Sequence, residues 1–241
     1  MKNILVTGIM QGLGLQIAKT LLQKGYYVYG VSLKEVDALK QLENDYPKQI
    51  SNIYCDLEDI DMAIDTIFKK VIGFNIPLDG FVNNAAIAYD DIISNLQYEP
   101  LLKMYQINVF SPMMITKYVI RNMLLHRTSG SIVHISSISV HTGYKGLAMY
   151  ASTKGALEAF SKTTAREWGE KGIRSNALVA GFMETSMSST LSKEQRDRIY
   201  KRTSLKIPTT VESVANMVEF LLSDNSRSVT GANVFVDSGT I

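Results

Sequence analysis

Seven short apolar runs alternate with helix-length segments along this chain, and that alternation limits the fold more than any other feature. The runs fall at 3–7, 27–32, 50–55, 80–82, 131–136, 174–178 and 233–236. Helical patterns lie between them, at 12–24, 35–46, 57–73, 99–126, 149–171 and 211–223. Strands separated by helices build βαβ units, whose strands lie parallel. Right-handed crossovers then place helices on both faces of the sheet. The runs are apolar at most positions rather than alternating, as strands covered on both faces require. The expected fold is α/β, a doubly wound parallel sheet in three α/β/α layers. A length of 241 residues fits one domain spanning 1–241.

One segment breaks the alternation. Residues 181–208 are rich in Ser, Thr and Met, with a short charged helical stretch at 192–202. A long insertion after a strand is often a mobile cover, so a substrate lid is expected at 182–208. A surface helical excursion is the simpler alternative.

Composition removes several function classes. A formal charge of +2 offers no basic stripe, so nucleic acid is not an expected partner. The N-terminal apolar run stops at Gly8, too early for a signal peptide. No stretch approaches the roughly 20 apolar residues of a membrane helix. The single cysteine, Cys55, cannot form an internal bridge, and a cytoplasmic setting is expected. His126, His134 and His141 lack metal-ligand spacing, so no metal is expected.

The run Thr7-Gly8-Ile9-Met10-Gln11-Gly12-Leu13-Gly14 follows the first strand and opens the first helix. Glycines allow a tight turn and let the backbone approach a pyrophosphate. The helix N-terminus adds free N–H groups and a favourable dipole. Thr-Gly-x-x-x-Gly-x-Gly resembles the short-chain dehydrogenase/reductase family, in its single-domain branch. The resemblance implies a Rossmann-type fold and hydride transfer between a nicotinamide and a carbonyl or secondary alcohol.

Tyr150-Ala151-Ser152-Thr153-Lys154 matches the family's Tyr-x-x-x-Lys motif. Residues four apart share a helix face, so the lysine cation is expected to act on the phenol and lower its pKa from about 10. The resemblance also gives Lys154 the nicotinamide ribose hydroxyls. It makes Ser137, at a strand end, the hydrogen-bond donor to the substrate carbonyl, with Ser136 and Ser139 as nearby alternatives. Asn108 matches the helix asparagine that holds a proton-relay water. A polar residue satisfied at a helix packing site is the other reading of Asn108.

Further segments fit the same family. Asn83-Asn84-Ala85-Ala86 resembles Asn-Asn-Ala-Gly, which shapes the adenosine side of the cleft; Ala86 stands where glycine is usual. Asp56 and Leu57 follow the third strand, where an aspartate accepts from adenine, although Asp56 also suits a helix N-cap. The segment ending Ala180-Gly181-Phe182-Met183-Glu184-Thr185 resembles the stretch over the nicotinamide, with Ala180 replacing proline and so a freer turn expected. Gly181, Met183 and Thr185 are its cofactor contacts. The 229–231 and 236–239 segments match the family's C-terminal ending, so the resemblance runs from Asn3 to Gly239.

NAD-preferring members place an acid where Ser32 stands. Ser32 can donate to a 2′-phosphate and Lys34 adds charge, so NADP is expected, with NAD as the alternative. Gln11 takes the place of an arginine common in NADP-users. Lys34 also reads as a solvated residue at a helix start.

The resemblance is nearest to the 3-oxoacyl-[acyl-carrier-protein] reductases. It implies a small-molecule carbonyl or alcohol substrate, with a carrier-linked acyl group as one form. Lys171 falls where such members place a basic carrier-docking residue beside the cleft, and Arg127 lies near the other. Substrate contacts are expected from Ser137, Tyr144, Tyr150, Phe182 and Met187, with Ile87, Tyr89, His141, Leu147 and Met183 as further lining. A sugar, polyol or specialised-metabolite dehydrogenase is the alternative enzyme. A non-catalytic nucleotide-binding sensor or scaffold is the alternative of another class. The resemblance implies a homotetramer, and helices 99–126 and 149–171 carry more apolar positions than one core stripe requires.

Overall fold

A computed structural model describes residues 1–185 and 192–241. The elements run β1 (Asn3–Thr7), α1 (Gly12–Gln23), β2 (Tyr27–Ser32), α2 (Asp37–Asp45), β3 (Ile50–Tyr54) and α3 (Ile60–Ile64). Then come β4 (Gly80–Asn83), α4 (Tyr98–Tyr105), α5 (Ser111–His126), β5 (Ser131–Ser137), α6 (Ser139–Thr142) and α7 (Ala148–Trp168). The chain closes with β6 (Arg174–Ala180), α8 (Lys193–Tyr200), α9 (Val211–Leu222) and β7 (Asn233–Val236).

Among the described residues seven strands pair in parallel, in the order β3-β2-β1-β4-β5-β6-β7. Strand side chains alternate between faces, and here both parities are apolar. Ile4, Val6, Val133 and Ile135 pack against Ile17 and Leu21 of α1 and Val218 of α9. Leu5, Phe81 and Ile132 face the other way, onto Ile67, Ile115 and Val119. This is the expected Rossmann-type, three-layer sheet. The order reverses between β1 and β4, and in such sheets the crevice at the strands' carboxyl ends at that point is where ligands bind.

The sequence expectations differ from the structure at three helices. The 57–73 pattern starts its helix only at Ile60, because the Asp59 carboxylate caps it by accepting from Met62 N at 3.1 Å. Asp56 is therefore not the N-cap. Its Oδ1 accepts from Glu58 N at 2.9 Å instead. The 99–126 pattern is not one α-helix. Residues Gln106–Phe110 form a π-helical stretch between α4 and α5. The short helix α6, directly after β5, had no expectation at all.

Candidate active site

The crevice is real and continuous. A cleft of about 790 Å³ runs from the glycine loop, past the ends of β4 and β5, to the start of α7. At one end, Gly8 takes φ +76°, and a Cβ there would meet Ala85 Cα at 2.8 Å. A Cβ on Gly14 would overlap the Gly8 carbonyl. The loop and the segment after β4 are thus pressed together. Asn84 Nδ2 donates to Thr7 O at 3.0 Å and Gly8 O at 3.1 Å. Thr7 Oγ1 accepts from Asn84 N and Ala85 N at 3.1 and 3.2 Å. Thr7 is fully buried, so it braces the loop from behind rather than lining the cleft.

Gln11, Gly12, Leu13 and Gly14 do line it, at the N-terminus of α1. No side chain caps that end, as is also true of α2, α4 and α7, but among the described residues only α1 brings its first turn to the glycine loop's side of the cleft. The first N–H groups of α1 are therefore open toward the cleft, which suits a pyrophosphate. Leu57, Asp56, Ala85 and Ala86 line the adjoining wall, and Ala86 is not among the described residues with positive φ. Ser32 lines the cleft too, yet its hydroxyl already donates to Lys34 O at 3.2 Å. Lys34 itself does not line it.

At the other end Tyr150 and Lys154 sit one turn apart on α7. Lys154 is 2% exposed. Its Nζ donates to Ile135 O at 2.9 Å and lies 5.6 Å from the Tyr150 ring centre. Burial lowers the lysine to about 8. Burial, with Asp90 nearby, raises the Tyr150 phenol well above its ordinary value. The expected lowering of Tyr150 by Lys154 does not appear: burial, then Asp90, both act to raise the phenol. Tyr150 is a neutral phenol near pH 7.

Ser137 ends β5, and its Oγ accepts from Ser139 N at 3.2 Å. That leaves the hydroxyl hydrogen available to a substrate oxygen. Asn108 sits in the π stretch, fully buried. Its Oδ1 accepts from Ile87 N at 2.9 Å, and its Nδ2 donates to Ile87 O at 2.8 Å and Thr153 Oγ1 at 3.1 Å. Asn108 therefore clamps the chain after β4 to α7, as the packing alternative has it. Single π-helical turns often mark functional sites.

Ile87, Tyr144, Leu147, Phe182 and Met183 line the substrate half; Tyr89 and His141 do not. Met187 lies outside the described residues. Gly181 fits because any Cβ would meet Asp237 Cα at 2.6 Å. Ala180 does not loosen this turn as expected. It belongs to β6 and pairs with Ser137 on one side and Val236 on the other. Thr185 packs near Gly12, a Cβ on which would lie 3.7 Å away. Asp90, Lys145 and Arg202 also line the cleft, and no sequence signal singled them out. Conversely, Lys171 and Arg127 precede β6 and β5, so within the chain they lie at the amino edge of the sheet, away from the cleft.

A family model described as enoyl-(acyl carrier protein) reductase matches residues 8–240. The chain belongs to the short-chain dehydrogenase/reductase family. It is an oxidoreductase. Among its relatives in that family, the 3-oxoacyl-[acyl-carrier-protein] reductase FabG of Buchnera aphidicola subsp. Schizaphis graminum (strain Sg) is 34% identical, covering 99% of this chain and 96% of that protein. Carbonyl reductase [NADPH] 2 of Sus scrofa is also 34% identical, over 98% of this chain and 94% of its own. The solved structure of ElxO with NADP bound has a TM-score of 0.86 and 29% identity, covering 99% of this chain and 98% of that one.

Proposed function

We propose that this chain is an NADP-dependent ketoreductase that acts on 3-oxoacyl groups. One observation carries the reading: Ser137, Tyr150 and Lys154 line the same cleft as the uncapped N-terminus of α1. The glycine loop and its helix end hold the pyrophosphate. Asp56 and the 84–86 segment border the adenosine, and Gly181 to Thr185 cover the nicotinamide. Lys154 holds the ribose hydroxyls. The nicotinamide supplies the hydride when bound.

The chain's own part concerns the carbonyl oxygen. Ser137 donates a hydrogen bond to it, and Tyr150 donates its proton as negative charge develops there. Lys154, cationic below about pH 8, offsets the charge left on the phenol. In the reductive direction Tyr150 starts protonated, the form that burial and the nearby Asp90 favour.

The relatives support the substrate class: FabG is named for 3-oxoacyl-carrier substrates and the pig enzyme for carbonyls and NADPH. Lys145 and Arg202, which line the cleft, are cations placed to meet an acidic acyl carrier. The segment 182–208 acts as the lid. Tyr200 of α8 donates to Glu184, its ring lies 6.1 Å from Phe182, and Ile199 lines the cleft. A soluble homotetramer completes the reading, and no described helix is long and apolar enough to cross a membrane.

The test is steady-state reduction of a short 3-oxoacyl thioester and of a ketose, with NADPH and with NADH. Preference for thioester and NADPH is expected. A preference for the ketose moves the substrate assignment to sugars, and cofactor binding without any turnover favours a sensor.

A further inference from the structure

Behind Ser137 lies a second polar cluster that the proposed chemistry does not use. Glu158 stands on α7, one turn beyond Lys154 and two beyond Tyr150, and is 7% exposed. Its carboxylate receives donors from three other elements. Ser136 Oγ on β5 donates at 2.5 Å, His141 Nε2 on α6 at 3.1 Å, and Asn233 Nδ2 on β7 at 2.6 Å. A carboxylate can only accept, so His141 carries a proton on Nε2. A buried carboxylate is costly unless its oxygens are satisfied, and these are.

Where the partners sit decides what the cluster does. Ser136 is the residue before Ser137. On the other side, Ser139 N donates to Ser137 Oγ and His141 N bonds Ile138 O at 2.9 Å. The His141 ring packs edge-on against Phe235 of β7, with 5.0 Å between centres. The chain on both flanks of Ser137 is thus tied, through one carboxylate, to the helix that carries Tyr150. Lys154 takes no part in the cluster's bonds, since its Nζ is directed to Ile135 O.

We propose that Glu158 is a positioning residue that fixes the Ser137 hydroxyl against Tyr150 by bolting β5, α6 and β7 to α7. Two groups serve one carbonyl oxygen only when their separation matches it. The proposal rests on the reading that Ser137 and Tyr150 form that pair.

The experiment compares Glu158→Leu, Glu158→Gln and Ser136→Ala, each alone and combined with Ser137→Ala. Turnover of a 3-oxoacyl thioester, NADPH affinity and hydrogen exchange of residues 138–142 are measured. Glu158→Leu is expected to lower kcat by roughly 10- to 100-fold while NADPH affinity stays within about twofold, as a small misplacement of a reacting group does. Glu158→Gln, which still accepts and donates, restores most of the loss. In the Ser137→Ala background the same Leu substitution costs less than about twofold, because residues acting as a unit are not additive. Exchange at 138–142 rises in Glu158→Leu with or without a substrate. Equal losses in both backgrounds, or unchanged exchange, overturn the proposal. Should the leucine variant fail to fold, Ser136→Ala gives the same comparison with a smaller loss. A silent Ser137→Ala would instead sink the reading of the site itself.

Discussion

Tyr150 and Lys154 share a helix face, and burial moves them in opposite directions: the phenol up, the ammonium down to about 8. Because Tyr150 is raised, it remains the phenol across neutral and mildly alkaline pH. Because Lys154 is lowered, it loses its charge as pH rises through about 8, and with it the offset to charge on Tyr150. The kcat/KM for reduction is therefore expected to fall above about pH 8. Lys154→Arg, which stays cationic, should abolish that fall, as a pH–rate profile would reveal; an unchanged alkaline limb would assign it elsewhere. Tyr150→Phe removes the proton donor itself. A loss on the order of 100- to 10,000-fold in kcat is expected, with cofactor fluorescence titration nearly unchanged.

At the scale of elements, the site depends on loops pressed together. Gly14→Ala places a Cβ against the Gly8 carbonyl, inside the turn that α1 needs. It is expected to weaken NADPH binding by about tenfold or more and to cost roughly 1–3 kcal/mol of stability, read by titration and thermal melting. Asn108→Ala frees the Ile87 backbone from α7. It is expected to cost about 1–3 kcal/mol, since buried polar groups lose their partners. An equal melting temperature would show that the clamp carries no weight. The strands and the Tyr-x-x-x-Lys helix were legible because periodicity and short spacing are local. Ser137 was legible as a strand end. The π stretch at Asn108 was not, since nothing in an apolar helical pattern marks an extra residue per turn. Nor were Asp90 and Glu158, whose neighbours lie far away in sequence and meet only after the sheet is assembled. Lys171 and Arg127 rest on the resemblance alone; standing just before β6 and β5, they fall at the amino edge of a parallel sheet, opposite the strand ends that carry the site.

The whole molecule places one cleft at the switch point of one parallel sheet, with loop, strand ends and α7 converging from distant parts of the chain. Ile93, Tyr98, Leu102 and Phe110, on α4 and the segments flanking it, are exposed. An apolar surface of this kind usually marks association. Light scattering is expected to return four times the chain mass of 26.8 kDa; a monomer would leave that face unexplained. The proposed delivery of a proton from Tyr150 to a carbonyl in an NADP site is tested by oxidation of NADPH in the presence of a short 3-oxoacyl thioester, by the native chain and by Tyr150→Phe side by side. Turnover is expected from the native chain, and in the variant tight NADPH binding with almost no turnover; comparable rates from the two proteins would remove Tyr150 as the proton donor.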